Sequence, residues 1–125
     1  MTAFVAEEPL VAVEHDGSTM ELFQLMAWRW SVTTAKEFVE GRTPNATLAV
    51  ADWVGMLRLL VVDEDHAECV DLADPLIAVS MPTGGLLIID GWHRVHKALA
   101  SGRSTLPAHV LTVEEERACR IRGGK

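Results

Sequence analysis

Basic residues are scarce in this chain. Eleven Lys and Arg stand against eighteen Asp and Glu, for a formal net charge of −7. A duplex-binding protein shows a basic face to the phosphates, so nucleic acid is not an expected partner. Lys and Arg gather only near the end, in "RACRIRGGK", which reads as a short solvated tail. Cysteine is nearly absent. Cys69 and Cys119 lie far apart and in no CxxC spacing, which suits a reducing cytoplasm and two ordinary buried thiols. No apolar run reaches the roughly 20 residues of a membrane span. The opening "MTAFVAEEPLVAVEHDG" has no basic start and carries acids early, unlike a signal peptide. The expectation is a soluble cytoplasmic protein with no membrane partner.

What is present is apolar. Hydrophobic residues make up 49% of 125, enough for one domain around a single modest core. "PLVAVEHDG" reads as a short strand and turn. "STME", at 18 to 21, has the form of a capping box that would open a helix towards Trp30. The even-numbered apolar residues of that stretch suit a strand face equally well. "TTAKEFVEG" reads as a short helix capped by Thr33 or Thr34 and stopped at Gly41, and "RTPNAT" as a loop. "LAVADWVGMLRLLVV" admits a helix from Asp52 or two strands hinged at Gly55.

The second half is patterned more sharply. "DEDHAEC" is a short helix opened by acids. "PLIAVSM" and "LLIID" are buried strands joined by the turn "PTGG". "WHRVHKALASG" is a helix ending at Gly102, "LPAHVLT" is a strand, and "TVEE" caps a last helix at Thr112. The order strand, strand, helix, strand, helix predicts an α+β domain, a mixed sheet flanked by short helices.

Polar chemistry concentrates where "LLIID" meets "GWHRVHKAL". Val95, Ala98 and Leu99 share one helix face and are expected to pack on the sheet. At about 100° per residue, His93 and Lys97 then point away from the core, beside a cleft. Gly91 lets the backbone turn sharply and lets a ligand approach with no Cβ in the way. The first-turn N–H groups are donors at the positive end of the helix. Arg94 can hold two phosphate oxygens, and Lys97 follows one turn on. Together they describe a small anion site suited to phosphate. The same residues have an ordinary reading too: Asp90 as a helix cap, Trp92 as a lid over the core edge, and the cations simply solvated. Asp90, His93 and His96 also form D-x-x-H-x-x-H. No fourth ligand has a spacing that joins them, and His66 and His109 have no spacing logic either, so no metal site is assigned to the protein residues.

"LIIDGWHRVHKALASGRSTLPAHVLT" resembles the ParB/sulfiredoxin-like superfamily. The shared elements are the strand Ile88-Ile89-Asp90, Gly91, Arg94, Ala98, Gly102 and the strand opening Leu106-Pro107. The upstream "VDLADPLIAV" resembles the preceding family segment, and the likeness spans residues 63 to 112. The resemblance implies nucleotide binding, since ParB proteins use CTP, sulfiredoxins use ATP, and other relatives are ATPases, nucleases or kinases of small metabolites. It implies that the glycine turn and the arginine hold phosphates at the helix start. Gly91 and Arg94 match that motif, and His93 matches the histidine of the sulfiredoxin "GCHR" pattern. Trp92 stands where sulfiredoxin has its cysteine, so sulfinic acid reduction is not expected. ParB proteins read "GERR" here and carry a helix-turn-helix domain afterwards. This chain stops at Lys125 with room for one more helix, so a partition protein is not expected.

The resulting expectation is a single ParB/sulfiredoxin-like domain over 1–125. It would bind a nucleotide or other phosphate-bearing small molecule through Gly91, Trp92, His93, Arg94 and Lys97. ATP or CTP with Mg²⁺ is the expected cofactor, the ion held by phosphates and one carboxylate. If NTP hydrolysis or phosphoryl transfer follows, Asp90 or His93 is the acid–base group. Two other classes compete. One is a non-catalytic module that binds a protein partner through an exposed patch at Trp28 and Trp30. The other is a metal-dependent nuclease, which the acidic charge opposes.

Overall fold

A computed structural model describes residues 11–15, 21–25, 27–60, 64–82 and 84–123, with side chains from residue 21 onward except that of residue 64. Its elements are α+β, as the sequence predicts, but they form two four-stranded sheets. The first half supplies most of the first of these, an antiparallel sheet that the sequence did not foretell. Strands β1 (Val11–His15), β2 (Glu21–Leu25) and β3 (Trp28–Ser31) pair antiparallel in succession. The helix expected from the "STME" box does not form. Ser18 lies outside the described residues, and Glu21 starts a strand, its N–H donating to Thr33 Oγ1 at 2.7 Å. Of the even-numbered apolar residues, Met20 and Met26 lie outside the described residues, and Leu22 and Trp30 do not share one face. The turn between β2 and β3 sets Phe23 opposite Trp30 and Leu22 opposite Ser31. Phe23 and Trp30 are fully buried, and Leu22 and Gln24 are buried on the other face. A stretch apolar on every side thus folds as a hairpin covered on both faces, because strands and all-round helices share that pattern.

Helix α1 (Val32–Val39) follows without a loop. Its cap is Ser31, whose Oγ accepts from the Thr34 N–H at 3.1 Å, two residues before the first of the expected threonines. Strand β4 (Ala46–Ala49) leads into a 3₁₀ turn at Val50–Trp53 and the single helical turn α2 (Val54–Leu57), which settles the helix-or-strands ambiguity at Gly55 for the helix. Helix α3 (Glu64–Cys69), strands β5 (Leu76–Ser80) and β6 (Leu86–Asp90), helix α4 (Trp92–Ser101), strand β7 (Thr105–Val110) and helix α5 (Val113–Cys119) match the predicted second half. The Thr112–Glu115 capping box closes in both directions.

The second sheet has the order β4-β7-β5-β6. Strands β5 and β6 form an antiparallel hairpin, α4 crosses over, and β7 returns parallel to β5. Buried Leu76, Ile77, Ala78, Val79, Ile88 and Ile89 make β5 and β6 continuous apolar strands, as expected when both faces are covered. Helix α4 packs through Trp92, Val95 and Ala98, whereas Leu99 is 45% exposed. The buried stripe therefore starts one helical turn earlier than the spacing predicts, at Trp92, and ends at Ala98 instead of Leu99.

The tail is not a solvated appendage. Arg120–Arg122 form β8, which pairs antiparallel with β3 and completes the first sheet. Cys119 is buried as expected, but Cys69 is exposed. Among the described residues no helix is long and apolar enough to cross a membrane.

Candidate functional site

The strand-to-helix junction is built on one left-handed residue. Gly91 sits at φ +109° between Asp90 and the first turn of α4, a conformation that favours glycine. A Cβ there would meet Leu76 Cδ2 and lie 3.0 Å from Arg94 Nη2. The space that the sequence reserves for a ligand beside Gly91 is thus filled by the protein's own Leu76 and Arg94.

Asp90 does not cap α4, since the cap position is Gly91 and no side chain bonds the helix start. Its Oδ2 instead accepts from Arg94 Nη2 at 3.1 Å, and Arg94 Nη1 donates to the Pro75 carbonyl at 2.9 Å. One guanidinium therefore ties the end of β6, the first turn of α4 and the entry to β5. Both side chains are largely buried, at 13% and 14% exposure. Asp90 Oδ1 makes no hydrogen bond among the described residues.

Two charges from the first half join this pair. Lys36 on α1 lies 2.7 Å from Glu21 Oε1 on β2, and both act on Asp90 through space. Burial pushes the Asp90 carboxyl above the ordinary Asp range, and Glu21 adds to this, against the pull of Arg94 and Lys36. Burial lowers the Lys36 ammonium, but its bond to Glu21 and the nearby Asp90 outweigh this and hold it above its usual value. The cluster is a neutral quartet of two acids and two bases, Glu21, Lys36, Asp90 and Arg94. No local spacing could have revealed Lys36 or Glu21. One is a single lysine on a short amphipathic helix, and the other reads in sequence as a capping residue.

The remaining predicted residues face elsewhere. The Trp92 indole is buried, packs edge-on against Trp53 at 5.8 Å and donates to the Ile88 carbonyl at 2.9 Å, so it is a core residue and not a lid. The His93 ring lies edge-on to His66 of α3, centroids 4.5 Å apart. Lys97 is half-buried and donates to the Val70 carbonyl at 2.7 Å, holding the end of α3 against α4. It is neither largely exposed nor directed at the glycine turn. Of the first-turn donors, the Arg94 N–H is turned back to the Gly91 carbonyl at 2.9 Å.

Among the described residues no three His, Cys, Asp or Glu side chains converge on one point. D-x-x-H-x-x-H accordingly forms no cluster, since Asp90 turns to Arg94 and His93 to His66. His109 is buried on β7, where burial and the Arg42 charge lower its pKa. A Mg²⁺ ion brought by a phosphate needs only one or two protein carboxylates, and the open Oδ1 of Asp90 fits that requirement. Trp28 and Trp30 do not form a shared exposed patch: Trp30 is fully buried, and Trp28, partly buried, is stacked on it at 5.6 Å.

Comparison with protein-family models, with curated proteins and with solved structures finds no match. The resemblance to the ParB/sulfiredoxin-like superfamily rests on the motif residues alone.

Proposed function

We propose that the β6–α4 junction binds a phosphate-bearing small molecule, a nucleotide such as ATP or CTP with Mg²⁺. The observation that carries this reading is the neutral quartet of Glu21, Lys36, Asp90 and Arg94 beside a left-handed glycine and a helix start. A Mg²⁺–phosphate unit has the same alternation of charge. Its phosphate oxygens replace Glu21 and Asp90 as partners of Lys36 and Arg94. Its cation replaces them as partner of the carboxylates. Lys36 is half exposed, so its long side chain can turn to a phosphate at little cost. The Trp92 N–H adds a donor at the positive helix end. The superfamily resemblance supports the same site through Gly91 and Arg94.

Asp90 is the acid–base residue of this reading. It is desolvated, its pKa is displaced upward, and it stands at the end of a strand next to the phosphate position. His93 is set aside because its ring faces α3. Whether turnover follows binding is read from phosphate release by wild type against Asp90→Asn, in which turnover is expected to be lost and the Mg²⁺-dependent part of the binding weakened.

Binding itself is tested by a melting-temperature screen against ATP, CTP, GTP and UTP, each with and without Mg²⁺. One nucleotide with Mg²⁺ is expected to stabilise by about 2.7 kcal/mol at a hundred times its Kd. Lys36→Met should lose most of that shift while melting near wild type alone. A flat screen would leave the protein-binding module as the better reading.

A further inference from the structure

At the end of β5 far from Gly91, a groove of about 400 Å³ opens between Ser80, Met81 and Pro82 on one side and α5 on the other. That volume is in the range of small-molecule sites. Its walls are mostly apolar, and Val113 on its rim is 54% exposed. Three charged groups line it: Glu116, Arg117 and Arg120.

Two of these three cancel. Glu116 is almost fully buried. Oε2 accepts from Arg120 Nε and from the Trp30 indole, each at 2.8 Å, and Oε1 accepts from Arg120 Nη2 at 2.8 Å. Arg117 remains. It belongs to none of the ion pairs and hydrogen bonds found among the described residues. The groove therefore carries one uncompensated positive charge, in a chain of net charge −7. A single guanidinium fits a carboxylate fork-to-fork, and Met81, Pro82 and Val113 fit a hydrocarbon.

We propose that this groove binds a small apolar carboxylate, its anionic end on Arg117 and its hydrocarbon against Met81, Pro82 and Val113. One cation matches one negative charge, which favours a carboxylate over a phosphate dianion. The site is independent of the β6–α4 junction. It contains its own reporter, because Arg120 also lies over the Trp28 ring at 5.4 Å and Trp28 stacks on Trp30.

The test is a titration of the full chain with octanoate, and separately with octanol and with acetate. Backbone amide shifts and indole emission are read together. Octanoate is expected to give saturable shifts at residues 80–82 and 113–120. Octanol and acetate, each with half of the required chemistry, should bind about tenfold more weakly or worse. Arg117→Gln should weaken octanoate about tenfold with an unchanged melting temperature. Val113→Asp should do the same, since an acid at the first turn suits the helix but repels the ligand. Octanol binding as tightly as octanoate would overturn the proposal. So would an unaltered Arg117→Gln, shifts centred elsewhere, or no saturation at millimolar octanoate.

Discussion

Gly91 has two constraints on one atom, a left-handed backbone and a Cα surface already in contact with Leu76 and Arg94. Gly91→Ala should cost about 3 kcal/mol, the sum of strained φ and overpacking, measured by urea unfolding. A loss under half of that would show that Arg94 moves aside freely. Asp90 gives a pH signature. Its folded pKa is raised by burial, so the folded state holds the proton where the unfolded chain has already released it. Stability from this group is full below the ordinary Asp value and declines as pH rises through the folded value. Wild type should therefore lose stability relative to Asp90→Asn as pH rises across that window. A gain instead would mean that the ion pair with Arg94 outweighs burial. The thiols separate as well. Burial, with Glu115 and Glu116 nearby, pushes Cys119 up to about 11, while Cys69 is exposed. A thiol reagent at about pH 8 should label one equivalent, at Cys69, and reach Cys119 only on unfolding. The sequence showed Gly91, Asp90 and Arg94 as a group because they are local. It could not show that Arg94 binds Asp90 and the Pro75 carbonyl, since a guanidinium on a helix reads the same whether it faces solvent or its own strand.

Among the elements, the junction of α5 and β8 is the part least visible in advance. A run of arginines near a chain end normally solvates. Here Arg120 is 15% exposed, pairs with Glu116, and has an indole beneath it. Burial alone would raise the Glu116 pKa, but the bonds from Arg120 and Trp30 outweigh it and hold the carboxyl below its ordinary range. The stability it supplies is present above the unfolded Glu value and is lost as pH falls through the folded one. Glu116→Ala leaves a largely buried guanidinium and an indole N–H without their acceptor, and should cost about 3 kcal/mol by chemical unfolding. A loss below about 1 kcal/mol would show that Arg120 escapes to water. The hairpin of β2 and β3 was hidden for another reason. Apolar residues on every side fit a buried helix and a two-faced hairpin equally, and only the partner strands β1 and β8 decide. Strands β5 and β6, helix α4 and the capped α5 were legible because continuous apolar runs form the strands and turn glycines and a capping box mark the ends of the elements.

The whole molecule joins an antiparallel sheet built from both chain ends to a mixed sheet that carries the junction. That closure brings Glu21 and Lys36, more than fifty residues away in sequence, to Asp90. Half of the candidate site was therefore readable from one stretch of sequence, and half came only from tertiary structure. The proposed function is that this joint cluster receives a Mg²⁺–nucleotide. Its most direct measurement follows the backbone amides of Gly91, Trp92 and His93 by NMR during titration with ATP and with CTP, each with and without Mg²⁺. The prediction is a saturable movement of these amides with one nucleotide, stronger with Mg²⁺ and lost in Lys36→Met. Amides that stay fixed with both nucleotides, while the protein remains folded, would contradict it.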